Sequence, residues 1–191
     1  GKRPPPGLFV TTVKDYSFSQ KLQTFGTALP NKTKSFRIKK SNLIVPVELN
    51  KQVKKGDIIA KLKTENIIAP FDGVLGERGL SDDVLVSESS IILTLDDSSI
   101  IFSDLKIPET YAGVIKKGLP IEATFSGYEN KKYIGEVDSV ASRINAETRS
   151  LLVRIKITND NSELIPGALL EVAIKYNEKN SLGVPDTAVL L

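Results

Sequence analysis

A short apolar motif written twice, with a bend between the copies, limits this chain more than any other feature. Leu43, Leu49 and Val53 each recur 31 positions later as Val74, Leu80 and Val84, and after a two-residue slip Ile58, Ile59 and Leu62 recur as Ile91, Ile92 and Leu95. Within the first copy, Val45-Pro46-Val47-Glu48-Leu49 alternates like a half-buried strand, Lys54-Lys55-Gly56-Asp57 is a turn, and Ile58-Ile59-Ala60-Lys61-Leu62 returns. The copies meet at Ile67-Ile68-Ala69-Pro70-Phe71-Asp72-Gly73, which predicts a buried strand, a bend and a φ > 0 turn before a new strand at Val74. Two copies of one β unit clasping each other make a small sandwich.

The flanking segments read as strands of a second body. Leu8-Phe9-Val10-Thr11-Thr12-Val13 and residues 18–29 are rich in Thr, Val and Phe and predict strands whose partners come after the duplicated unit. Beyond residue 100, Ile101-Phe102-Ser103-Asp104-Leu105-Lys106-Ile107 alternates, and strands follow at 120–125, 133–140, 151–158 and 169–176. Val153, Ile155 and Ile157 point one way and Arg154 and Lys156 the other, with Leu170, Val172 and Ile174 forming a similar inward row. Ser126-Gly127 and Asn159-Asp160-Asn161 mark turns, and Pro166-Gly167 fits a type II turn. Pro108 at the start and Gly118 at the end predict one short helix over 111–117. The fold class expected is mainly β: a sandwich plus a small antiparallel barrel with one short helix.

Composition removes most chemistry. The 191 residues contain no Cys, His, Trp or Met, so the usual zinc, copper, haem and iron–sulfur ligands, cysteine nucleophiles and Ser-His-Asp triads are excluded. Asp82-Asp83 and Asp96-Asp97 are carboxylate pairs in sequence only, because strand neighbours face opposite ways and turn pairs are solvated. No catalytic site, metal or cofactor is expected. A net charge of +3 from 26 basic and 23 acidic residues argues for neither nucleic acid nor acidic lipid. No apolar run approaches the roughly 20 residues of a membrane helix. The absent initiator Met points to a fragment or processed chain.

Several motifs now accumulate in one order. Gln52-Val53-Lys54-Lys55-Gly56-Asp57-Ile58-Ile59-Ala60 is similar to the first lipoyl half-motif, and Ile68-Ala69-Pro70-Phe71-Asp72-Gly73-Val74 to the second, of the periplasmic adaptors or membrane fusion proteins, HlyD-type and resistance-nodulation-division. Residues 105–108 resemble that family's barrel entry, Gly135-Glu136-Val137 through Thr148-Arg149-Ser150 its middle, Asn161 through Pro166-Gly167 its late turn, and Val184-Pro185 with Ala188-Val189 its exit. The resemblance implies a lipoyl/biotinyl-like sandwich and a barrel. It implies residues 1–7 as an extended lead-in, 8–30 as strands joining the barrel or a membrane-proximal part, 31–97 as the lipoyl-like domain, 98–176 as the barrel, and 177–191 as the start of a truncated segment.

As function the resemblance implies a non-enzymatic adaptor of a tripartite efflux or secretion pump, located in the periplasm. Its implied partners are an inner-membrane transporter, an outer-membrane channel of the TolC type and further copies of itself in a ring; nucleic acid is not among them, and the membrane is reached only through an anchor outside this sequence. Two departures stand out. Family members insert a long helical hairpin between the lipoyl halves, where this chain has only Lys63-Thr64-Glu65-Asn66 between Leu62 and Ile67; engineered replacement or omitted residues are the preferred explanations, natural loss the third. The family's membrane-proximal domain is also cut short at Leu191.

Two other functions compete. A biotinyl or lipoyl carrier shares the duplicated half-motif and needs a modified lysine at the hairpin tip; Lys63 is near that place, but its neighbours Leu62 and Thr64 do not match a carrier, and the connection is short. A sugar- or peptide-binding β module would display clustered aromatics, for which Tyr128 with Tyr133 is the candidate pair. At Thr148-Arg149, an ordinary barrel-turn arginine competes with a family-specific role.

Overall fold

The computed structural model describes residues 18–77 and 89–178. The expectations for 1–7, Leu8 to Val13, Leu80, Asp82-Asp83, Val84 and the exit motif at Val184-Pro185 and Ala188-Val189 lie outside them. The described residues form eleven strands: β1 (Gln20–Thr27), β2 (Leu29–Lys39), β3 (Lys51–Val53), β4 (Ile58–Lys61), β5 (Asn66–Ile68), β6 (Gly73–Glu77), β7 (Ser90–Pro108), β8 (Pro120–Phe125), β9 (Tyr133–Asn145), β10 (Ser150–Thr158) and β11 (Leu169–Tyr176). The chain divides into two compact units, Gly1–Leu29 with Ile101–Leu191, and Pro30–Ile100.

In the first unit the strands run in the order β1-β11-β8-β9-β10-β7. β1 pairs antiparallel with β11 from Gln20↔Tyr176 to Thr27↔Leu169, so strands about 150 residues apart share an edge. The rows predicted to face inward do so: Val153, Ile155, Ile157, Leu170, Val172 and Ile174 are all buried, together with Ile101, Leu105 and Ile107 of β7. β1 approaches β7 through Gly26, where a Cβ would come within 2.2 Å of Ser103 Oγ and 2.6 Å of Leu105 Cδ2. Ser103 sits on the inward row between Ile101 and Leu105, and its buried hydroxyl has no hydrogen-bond partner.

The predicted helix over 111–117 is not formed. A 3₁₀ turn, Glu109–Tyr111, stands in its place, followed by turns held by Ala112 N–H to Glu109 O (3.0 Å) and Val114 N–H to Tyr111 O (3.0 Å). Seven residues containing Gly113, Val114 and Ile115 are too few and too poor in helix formers to nucleate an α-helix, and Ile115 is instead pulled into the core. Gly118, the expected stop, does adopt φ +91°.

The second unit combines most of β2 and the first part of β7 with four strands of three to five residues, β3 to β6, around a smaller core. β3 pairs with β6, β6 with the first part of β7, and β2 with β7; β4 and β5 form a separate two-stranded ribbon. Three expectations are corrected here. Residues 45–49 form no strand: Pro46 lacks an N–H, and after Leu43 bridges Leu62 the segment diverges until Asn50, at φ +59°, donates to Leu75 O. Ile68 of β5 is 53% exposed, so the strand before the bend is not buried. Gly73 is not at positive φ; it is required because a Cβ there would meet the Asp96 carbonyl oxygen at 2.5 Å, as β6 is laid against β7.

Candidate functional site

The two half-motifs of the small unit meet in one hydrogen-bonded clasp. The Lys54-Lys55-Gly56-Asp57 turn forms as expected, with Gly56 at φ +93° and Asp57 N–H donating to Lys54 O at 2.9 Å. From the second half, Ala69 accepts from Gly56 N–H at 2.9 Å and donates to Asp57 O at 2.8 Å. The two aspartates brace this turn: Asp57 Oδ2 accepts from Lys54 N–H at 2.9 Å and Asp72 Oδ1 from Lys55 N–H at 2.7 Å. Pro70 is exposed and carries the bend, and the half-buried Phe71 ring lies 5.8 Å from Lys32 Nζ. Asp57 and Asp72 therefore act as side-chain caps of this turn.

The junction residues close a tight β turn. Leu62 N–H donates to Glu65 O at 2.8 Å, beneath the pairing Lys61↔Asn66 and Ala60↔Ile67. Lys63 and Thr64 form the exposed tip, Leu62 is buried, and Lys63 N–H donates to Asn42 O at 2.9 Å. The four residues between Leu62 and Ile67 thus satisfy their own connection.

In the barrel, Thr148-Arg149 closes the β9–β10 hairpin. Asn145 Oδ1 accepts from Glu147 N–H (3.0 Å) and Thr148 N–H (3.2 Å), and Arg149, at φ +54°, donates its N–H to Asn145 O at 2.7 Å. Arg149 O accepts from Glu109 N–H at 2.9 Å, so this arginine acts through its backbone to hold the 3₁₀ turn. Pro166-Gly167 is the predicted type II turn: Gly167 has φ +93°, Ala168 N–H returns to Ile165 O at 3.0 Å, and Gly167 N–H donates to Ala28 O at 2.8 Å, anchoring the end of β1.

Asn159, expected as a turn residue, has a larger part than its turn position suggests. Its side chain is buried and bonds both ways to Leu164, Nδ2 to the carbonyl at 2.8 Å and Oδ1 from the N–H at 3.1 Å, which folds the loop over the core. Tyr128 and Tyr133 are each engaged by other side chains of the barrel unit. Tyr133 OH donates to Glu163 at 2.9 Å, and burial first, then this bond, pushes its pKa up to about 12; Tyr128 tilts against Phe125.

The outer faces of β7, β9 and β10 carry a charge ladder. Arg154 holds Asp104 through two bonds of 2.7 and 2.9 Å and lies 5.2 Å from the Phe102 ring; the Asp104 bond raises the guanidinium's pKa further. Lys156 reaches Glu136 at 3.5 Å and Asp138 at 3.7 Å. At Asp97, partial burial pushes the carboxyl up, but bonds from Ser99 and Asn31 and the charge of Lys32 bring it below its ordinary value. Among the described residues no group of three or more acidic side chains is placed to hold a metal ion.

Residues 103–178 match the family model of the CusB-like β-barrel domain. The chain is 24% identical over 124 residues, 65% of its length, to the putative membrane fusion protein SilB of Salmonella typhimurium, of which that stretch is 29%. It is 29% identical over 136 residues to the efflux pump periplasmic linker BepF of Brucella suis, covering 65% of this chain and 33% of the relative. In fold it is similar to ZneB of Cupriavidus metallidurans, with a TM-score of 0.61 at 13% identity over 82% of this chain and 98% of that one. The chain is thus similar to proteins named as membrane fusion proteins and efflux linkers, and it spans about a third of the length of these two curated relatives.

Proposed function

We propose that this chain is the β portion of a periplasmic adaptor in a tripartite efflux or secretion pump, joining an inner-membrane transporter to an outer-membrane channel by protein contacts alone. The observation that carries this reading is the likeness to named membrane fusion and linker proteins. It runs over 124 to 136 residues, longer than any continuous stretch of the barrel unit, so it includes part of the small unit. The β fold is shared over 82% of the chain with ZneB of Cupriavidus metallidurans.

The physical design fits an adaptor. The chain passes between the units twice, at Leu29 to Pro30 and within β7. Asp97, bonded to Ser99 and Asn31, ties β2 to β7 next to that passage. In this reading the barrel packs against the transporter and against neighbouring copies in a ring, and the protein is periplasmic and performs no covalent chemistry. No helix among the described residues is long and apolar enough to cross a membrane. The closed turn at Lys63 supports a subunit that works without the long hairpin and engages its channel through the tip of the small unit. A carrier role for Lys63 is not favoured by the relatives.

Deleting the complete gene is expected to raise cellular accumulation of an efflux dye such as ethidium several-fold, with restoration by the gene supplied in trans. Unchanged accumulation of every dye and toxic cation tested, with no transporter co-purifying, would overturn the proposal.

A further inference from the structure

One end of the small unit combines positive charge with exposed apolar surface. The 3₁₀ turn Lys40–Asn42 is fastened to the β4–β5 turn by Lys63 N–H to Asn42 O (2.9 Å), by Ile44 N–H to Lys61 O (3.0 Å) and by the Leu43↔Leu62 bridge. Those bonds gather Lys40, Lys61 and Lys63, all exposed, on one rim, with Lys39 alongside. Across residues 39–44 and 61–66 these four lysines face a single carboxylate, Glu65. Solvated lysines are ordinary by themselves. Here, however, Ile44 projects among them with 60% of its surface exposed, and Val45 (46%) extends the apolar strip. Ile44, Val45 and Pro46 also line, with Lys40 and one carboxylate, Glu77, a cleft of about 410 Å³. An apolar centre with a rim in which, among the described residues, four lysines outnumber Glu65 and Glu77 has the makeup of a protein contact: the centre supplies affinity and the excess charge steers approach and selects against like charge.

We infer that this tip docks an acidic rim on a partner protein, one that offers Asp and Glu side chains around an apolar residue for the Ile44 cleft. The inference rests on the adaptor reading, in which the partner is the periplasmic end of the outer-membrane channel. A protein is favoured over an anionic membrane because the positive charge is local, the whole chain carrying only +3, and because the apolar strip lies beside a shaped cleft.

The test uses the full chain with the transporter and channel encoded beside it, each purified in detergent, and vesicles containing phosphatidylglycerol. Binding is measured for the natural chain, for Lys40→Glu, Lys61→Glu and Lys63→Glu combined, and for Ile44→Asp, with unchanged circular dichroism as the check on folding. The expected result is channel binding that weakens at least about tenfold in the charge-reversed chain and in Ile44→Asp, and that falls as salt rises past the Debye limit, while transporter binding is unchanged. Channel binding that ignores both substitutions and salt would overturn the inference and leave the adaptor reading standing. Binding that follows these lysines only on anionic vesicles would overturn it in favour of a membrane surface. Binding to neither protein would remove the adaptor reading and the inference with it.

Discussion

Among the described residues, the barrel unit gathers seventeen buried apolar side chains into one cluster, all but Leu151 at 1% exposure or less. The small unit gathers nine, and Val53, Ile59, Ala60 and Leu62 remain 4–8% exposed. The difference follows from strand length. Four of the small unit's strands, β3 to β6, have only three to five residues and present one or two inward side chains each, with β2 and the first part of β7 adding Ile38, Leu93 and Leu95, whereas every strand of the barrel unit has six residues or more. The small unit makes up the deficit with side-chain braces on its turns, Asp57 and Asp72, and with a close backbone approach at Gly73. The barrel is held by burial and the small unit by its turns.

The sharpest way to break that contrast is to hollow each core. Ile155→Ala is expected to cost about 4 kcal/mol because its fully buried site cannot collapse, and Leu62→Ala about 2 kcal/mol because its site is already open at the edge. Calorimetry should show each loss in its own transition; equal losses, or one shared transition, would contradict the comparison. Gly73→Ala comes next, at about 2 kcal/mol, since β6 must retreat from the Asp96 carbonyl. Gly56→Ala, which meets no atom within 4 Å and is strained only by φ +93°, should cost about 1 kcal/mol.

Smaller effects sharpen the barrel side. Ser103→Ala removes a buried hydroxyl without a partner and should stabilise by about 1 kcal/mol, measured by urea unfolding; a loss of stability would mean that the hydroxyl is satisfied in solution. The smallest effect is alkaline. Tyr133 has a folded pKa of about 12 against an ordinary 10, so its contribution is complete below pH 10 and is lost as pH rises toward 12. Tyr133→Phe should flatten stability over that window, and an unchanged slope would show that other groups set it.

The same contrast governs how much the sequence reveals. The rows Val153, Ile155, Ile157 and Leu170, Val172, Ile174 announce inward faces because period-2 alternation persists long enough to be unambiguous, and Pro166-Gly167 announces its turn because each residue fits one position of it. Residues 45–49 alternate equally well yet form no strand, since whether a neighbour is there to pair is a tertiary fact. Residues 111–117 carry correct helix punctuation, but the core's demand for Ile115 outweighs it. Gly73 is legible as necessary, though for close approach where a turn was expected. Asn159 looks like any turn residue, because a buried amide bonding to a loop five residues on has no local signature. For the candidate site, the two half-motifs are readable as sequence, and their mutual clasp through Ala69 and Asp72 appears only once both are placed. The lysines of the tip lie in two segments about twenty residues apart, so their gathering is invisible before folding.

The central claim is that this chain holds a transporter and a channel together, and cross-linking in living cells tests it most directly. The full-length protein, tagged and cross-linked in intact envelopes, would be isolated and its covalent partners identified by mass. The account predicts that the inner-membrane transporter and the outer-membrane channel are recovered together with further copies of the chain. Recovery of neither, or of soluble enzyme subunits with a lipoyl or biotinyl increment on Lys63, would contradict it.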